Sequence, residues 1–398
     1  MTQEVVRRLA LLFFVASLGW TIWSGFRGAE IGGGDGQVLY VAGRSWLERV
    51  SPYDPAEFAR VWEHVVGEPH RTASVFAYPP TAVLLAVPLA LLPWSAARHL
   101  LAIANLLALG GSLAACASLL RLWRGVTGGD PRLWVGLGAA CMVGAVAGTL
   151  HLGQTGLITV AAALASFVLR DRNSPWLFGG AAALATIKPQ ASAFALLATL
   201  ATARRTNIAA AVAIVGLVGM LGLAAGDVLL RPGQLVEALA SYRSVGANTG
   251  QQLAGLTALA SALGIDLNAG LLAAAGLVGF ATLLRARPLR EPLEQGDEGV
   301  SACALACLSF TASVTFLPSH GYDYVAFLLP LAAWPSLPMP WTLLLAPGLI
   351  AAARPNPLAA ALHEVVPPSA LSGAGGLLAS LVFALMVLRR EKRSAPSA

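Results

Sequence analysis

The chain has 398 residues, 57% of them hydrophobic and 12% charged, with a mean hydropathy of +0.69 and a formal net charge of +6. This composition excludes a soluble domain of such length and, since only helices and closed barrels satisfy their backbone groups in lipid, leaves two membrane architectures. The apolar runs approach the roughly 20 residues of a spanning helix and lack the period-two alternation of a barrel strand, so the chain reads as an all-α polytopic membrane protein.

In chain order, residues 8–26 form the first span, led by Arg7 and Arg8. Residues 27–78 read as one large polar loop holding seven of the 20 acids: Glu30, Asp35, Glu48, Asp54, Glu57, Glu63 and Glu68. Residues 80–92 are apolar but short, with Pro88 inside and Pro93 after, and read as a re-entrant or interfacial helix. Further spans are predicted at 96–121, 133–150, 154–170, 175–187, 190–203, 207–230, 268–285, 300–316, 323–335, 340–353 and 371–388, making about 12 in one domain over 1–398. Residues 286–299 read as a charged cytoplasmic linker and 389–398 as a cytoplasmic tail.

The arginines explain the positive charge without nucleic acid, because they gather at the ends of apolar runs as the positive-inside bias requires. With the N-terminus inside, most basic residues fall on the cytoplasmic side. If 80–92 crossed the membrane, Arg121, Arg124 and Arg132 would move outside, against the bias. The 27–78 segment then faces outward, together with the turns 150–154, 187–190, 231–267 and 317–323. Cys116, Cys141, Cys303 and Cys307 lie inside apolar runs and read as small buried hydrophobes. No metal-ligand spacing accompanies them, and no Asp-x-Asp occurs in the first outer loop, so neither a metal nor a cofactor is expected.

Several outward residues carry chemistry. Asp35 follows Gly32-Gly33-Gly34, which lets the backbone approach a ligand; it is either a functional carboxylate or an exposed turn aspartate. Lys188-Pro189 sits where two short apolar runs meet, and a lysine near membrane depth either meets an anion such as phosphate or snorkels to the headgroups. Gln154, in the turn His151-Leu152-Gly153-Gln154, either faces a cavity or caps a helix. His320 in Ser319-His320-Gly321-Tyr322-Asp323-Tyr324 either binds a ligand or sits in the interface. Arg243 in Tyr242-Arg243-Ser244 either supplies a cation to an anionic group or is solvated.

The ordered set of motifs resembles glycosyltransferase family 87, of the GT-C group of polytopic transferases. The set comprises Asp35, Tyr40-Val41-Ala42-Gly43-Arg44, Ser51-Pro52-Tyr53-Asp54, Phe76-Ala77-Tyr78-Pro79-Pro80, Gly153-Gln154, Lys188-Pro189-Gln190 and Tyr322-Asp323-Tyr324. The resemblance implies a GT-C fold in a bacterial plasma membrane, with the active site facing the exterior. It implies a polyprenyl-phosphate sugar donor, mannose first, and a glycolipid or glycan acceptor. Asp35 becomes the expected catalytic base, and Lys188, Arg243 and His320 the cations that meet the departing phosphate. Tyr40, Arg44, Tyr78, Gln154, Gln190, Tyr322 and Asp323 become substrate-binding candidates. Two other classes compete: a lipid or solute transporter or flippase, which repeat symmetry would favour, and a non-catalytic scaffold for envelope assembly, in which Asp35 would face bulk solvent.

Overall fold

The computed structural model describes residues 2–27, 33–68, 76–226, 228–231, 233–244, 253–286, 297–362 and 365–389. They fold as the helices α1 (Gln3–Phe26), α2 (Gly33–Leu47), α3 (Pro55–Val66), α4 (Val83–Ala90), α5 (Trp94–Arg124), α6 (Pro131–Cys141), α7 (Gly144–Leu152), α8 (Gly156–Leu169), α9 (Pro175–Ala185) and α10 (Pro189–Thr202). Then follow α11 (Arg205–Ala225), α12 (Gly233–Ser244), α13 (Gly255–Ala262), α14 (Ala269–Ala286), α15 (Asp297–Phe316), α16 (Leu328–Ala333), α17 (Met339–Ala353), α18 (Pro355–Ala361) and α19 (Pro368–Leu388). Among the described residues there is no strand, only an antiparallel bridge between Ala254 and Ser319.

The helix surfaces are patterned for lipid. α1 turns Leu9, Leu12, Val15 and Trp20 outward and buries Ala10, Ser17, Thr21 and Gly25, against α6 and α7. α19 does the same, with Leu381, Leu385 and Leu388 outside and Gly373, Gly375, Gly376 and Ala379 inside. Between helices in a bilayer no hydrophobic driving force operates, so close backbone approach through small residues supplies the packing. Among the described residues five helices are long and apolar enough to span: α1, α5, α11, Gly299–Phe316 within α15, and α19. A sixth forms if α6 and α7, bent by 48° at Met142 and Val143, count as one. The remaining apolar helices are shorter. α8 has 14 residues, which reach about 21 Å at 1.5 Å each, against a hydrocarbon core of roughly 30 Å. The protein is thus all-helical and polytopic, and length alone supports five or six spans.

The segment read as a polar loop is helical. α2 and α3 fill most of 33–66, and the apolar residues of α3 recur at helical spacing: Phe58, Val61, Trp62 and Val65. Asp54 starts α3 as its N-cap, with Oδ1 accepting from Ala56 N at 3.0 Å and Glu57 N at 3.2 Å, and Pro55 at the first helical position. It is therefore no solvated loop acid. Phe58, Tyr53, Phe76, Leu39 and Val41 build a second core, separate from the large one formed by α5–α8, α15, α16 and α19. Gly43 seats α2 against α4, since a Cβ there would overlap the Ala86 carbonyl oxygen. The linker 287–296 and tail 390–398 lie outside the described residues, as do Glu30, Gly32, Asp227 and Glu364.

Candidate active site

Five chain segments meet at one polar cluster, each delivered by a break in helix. α7 ends on Gly153, whose φ of 66° is the left-handed conformation that glycine adopts without strain. The chain then turns, and Gln154 enters the interior with only 3% of its surface exposed. α9 ends at Ala185, and α10 restarts at Pro189, which keeps Lys188 before it out of the helical conformation, at φ -134° and ψ 78°. Ser192 Oγ donates to Ala185 O at 2.6 Å and bridges that break. The 3-10 turn Gly321–Phe327 carries Tyr322 and Asp323. Asp35 stands in the first turn of α2, where the helix dipole favours a carboxylate. Tyr78 comes from the extended stretch before α4.

The bonds between these residues form one chain. Gln154 Nε2 donates to Asp35 Oδ2. Gln154 Oε1 accepts from Lys188 Nζ at 2.7 Å and from the Tyr78 hydroxyl at 3.1 Å. Lys188 Nζ lies 2.7 Å from Asp323 Oδ1 and 4.3 Å above the centre of the Tyr322 ring. Asp323 Oδ2 accepts the His320 backbone N–H at 2.8 Å. The Tyr322 ring stacks on His320 with centroids 5.1 Å apart, and the Tyr322 carbonyl accepts from Thr149 Oγ1 at 3.3 Å. Tyr78 is held in turn, its carbonyl accepting from the Tyr53 hydroxyl at 2.9 Å.

Burial grades across the cluster. Asp323 is fully buried and Lys188 3% exposed, whereas Asp35 is half-buried. A lysine this deep keeps its charge only beside an anion, and Asp323 is that anion. Two polar contacts and a ring face meet its ammonium, which has three N–H groups. The cation is thus engaged inside the protein and does not snorkel. Burial pushes the His320 imidazole below its ordinary range; Asp323 draws it back up, Lys188 presses it down and Asp35 raises it slightly. At neutral pH the ring is an uncharged group beside a carboxylate. On Asp35, Oδ1 accepts no hydrogen bond among the described residues, so one oxygen is tethered and the other is open.

The structure brings together Asp35, Tyr78, Gln154, Lys188, His320, Tyr322 and Asp323. It does not bring in Tyr40 or Arg44. On a helix they are rotated about 140° and about 180° from Asp35. The Tyr40 hydroxyl donates to Leu92 O at 2.7 Å and its ring packs on Trp94, while Arg44 Nη1 lies 3.5 Å from Ala90 O. Both serve the end of α4. Gln190 is half-buried in the first turn of α10, outside the bonds above. The side chain of Arg243, on α12, lies outside the described residues. Among the described residues no three His, Cys, Asp or Glu side chains converge as metal ligands. Thr149 and Tyr53 were missed by sequence reasoning; Tyr53 lay within a noted motif, but nothing in its spacing shows that its hydroxyl reaches Tyr78.

A family model described as Glycosyltransferase family 87 matches residues 76–318, about three fifths of the chain. The matched stretch holds Tyr78, Gln154 and Lys188; Asp35 precedes it, and His320 to Asp323 follow it. No curated protein and no solved structure matches the chain.

Proposed function

Because the chain belongs to glycosyltransferase family 87, and is therefore a glycosyltransferase, we propose that it moves a hexose, mannose first, from a polyprenyl-phosphate donor to a glycolipid or glycan acceptor. We place the reaction on the outer face of a bacterial plasma membrane, in a GT-C architecture of about 12 spans. The turns carrying Asp35, Gln154, Lys188 and His320 all fall on that face in the charge-based threading, and their meeting in one cluster supports the assignment.

Asp35 carries the reading. Its Oδ2 is fixed by Gln154 and its Oδ1 accepts no hydrogen bond among the described residues, which is the geometry a general base needs. Oδ1 takes the proton of an acceptor hydroxyl. The hydroxyl oxygen attacks the anomeric carbon from the side opposite the phosphate, the bond from that carbon to the phosphate oxygen breaks, and the lipid phosphate leaves with the electron pair. Configuration inverts. Charge grows on the departing phosphate, and we assign the His320 ring, stacked on Tyr322, to present an N–H to it. The step as written needs no metal or cofactor.

The test is transfer of radiolabelled mannose from a synthetic polyprenyl-phosphate mannose into a membrane lipid extract, by purified protein in nanodiscs, with and without a chelator. Asp35→Asn is expected to fold normally and to lose roughly a hundredfold or more in turnover, the size of a general-base contribution. Near-normal turnover by Asp35→Asn overturns the assignment.

A further inference from the structure

Lys188 and Asp323 do more than neutralise each other. Gln154 can lie in its place in two ways, related by exchange of its amide oxygen and nitrogen. In the observed one, Oε1 meets two donors, the Lys188 ammonium and the Tyr78 hydroxyl, and Nε2 meets the Asp35 carboxylate. In the reverse one, the NH₂ group would face an ammonium that has nothing to accept with, and the carbonyl oxygen would face a carboxylate. Two mismatches arise at once. The amide therefore has one admissible direction, set by the Lys188 ammonium at its oxygen and the Asp35 carboxylate at its nitrogen. Lys188 in turn is held 2.7 Å from Asp323, itself fully buried and braced by the His320 N–H.

We infer that Asp323, Lys188 and Gln154 form a positioning relay for Asp35: the buried ion pair fixes the polarity of the Gln154 amide, and the amide fixes the Asp35 carboxylate so that Oδ1 points to the acceptor. Lys188 is then a positioning residue that acts through Gln154, not a ligand of the departing phosphate. This rests on Asp35 being the base, but the geometry can be tested without that.

The first arm needs no turnover. Infrared difference spectra between each protein and its Asp35→Asn counterpart isolate the Asp35 carboxylate bands. Gln154→Leu is expected to shift them, because it removes the donor. Lys188→Met is expected to shift them as well, although Lys188 does not touch Asp35. Bands unmoved by Lys188→Met overturn the relay. Lys188→Met leaves Asp323 buried without its partner, so where it fails to fold, the apolar pair Lys188→Met with Asp323→Leu, which also removes the donor to Gln154, replaces it and is read in the same way.

The second arm is kinetic, with polyprenyl-phosphate mannose as the probe. Lys188→Met is expected to lower kcat at least tenfold with KM for the donor changed less than threefold, and Gln154→Leu on top of it to add little, since both cut one chain. Gln154→Glu places a carboxylate beside Asp35, and the acidic limb of the pH–rate profile is expected to move up by about one pH unit. A raised KM with kcat unchanged in Lys188→Met makes it a phosphate ligand and overturns the relay. An active Asp35→Asn removes the base assignment instead, and leaves the infrared arm to decide the relay.

Discussion

Removing one partner of the Lys188–Asp323 pair should cost far more stability than removing one partner of an ion pair on the surface. The Lys188 and Asp323 side chains are 4% and 0% exposed with 2.7 Å between them. Arg60 and Glu57 on α3 lie 2.9 Å apart, a similar distance, with 55% and 43% of their side chains exposed. Removing one partner of a buried pair strands a charge away from water and costs about 3–5 kcal/mol, whereas an exposed pair is worth about 0–1 kcal/mol. We therefore expect Asp323→Ala to destabilise the protein by at least ~3 kcal/mol, more than a hundredfold in the folding equilibrium, and Glu57→Ala by far less. Part of the first loss is the His320 N–H left without its acceptor, about 1–3 kcal/mol when buried. Asp323→Asn separates the two contributions, because the amide oxygen can still accept from His320 while the Lys188 charge is left uncompensated. Lys188→Met combined with Asp323→Leu removes both charges and should recover most of the loss. The assay is unfolding in mixed detergent and SDS, followed by tryptophan fluorescence. If Asp323→Ala costs no more than Glu57→Ala, or the double variant is less stable than Asp323→Ala, the pair is not the buried ionic lock described here.

Two further outcomes follow from single residues. His320 is held below the ordinary histidine range by burial, so between its folded value and about 6.5 the unfolded chain binds more protons; thermal stability should fall as pH drops below about 6.5, and His320→Gln should flatten that fall, parallel curves refuting it. Asp54→Ala should cost about 1 kcal/mol through loss of the α3 cap while turnover per folded molecule stays within a few fold; a large fall in turnover at unchanged stability would place Asp54 in the site.

Two of the segments that meet in the cluster were legible because helix breaks are written locally. Lys188-Pro189 announces a break, and Gly153-Gln154 announces a turn. The first outer segment was misread because its acids dilute its composition, although Phe58, Val61, Trp62 and Val65 keep a helical period. Asp35 was singled out beside a glycine run, but Gly33 and Gly34 open a helix and do not form a free turn. Tyr40 and Arg44 were grouped with Asp35 by nearness in sequence; once α2 is a helix, that nearness puts them on its far side. What no local pattern could show is the pairing of Lys188 with Asp323, 135 residues apart, because only the folded chain brings the two breaks together.

That pairing explains why an amide stands between Asp35 and Lys188. By formal charge two aspartates and one lysine leave one negative charge in excess, and since Lys188 is paired with Asp323 the excess falls to the half-buried member, Asp35. A carboxylate at 154 would add a second negative charge in a region largely closed to water, and the like charges would drive one of them to take up a proton. An alkyl side chain there would leave the Lys188 ammonium one partner short and Asp35 without a fixed oxygen. A lysine at 154 would cancel the charge on Asp35 and weaken it as a base. Glutamine alone of these adds no charge, accepts from the cation and donates to the anion. The neutral link lets a deeply buried ion pair hold the Asp35 carboxylate in place while keeping its charge apart from that carboxylate, and this is why Gln154 occupies the centre of the cluster.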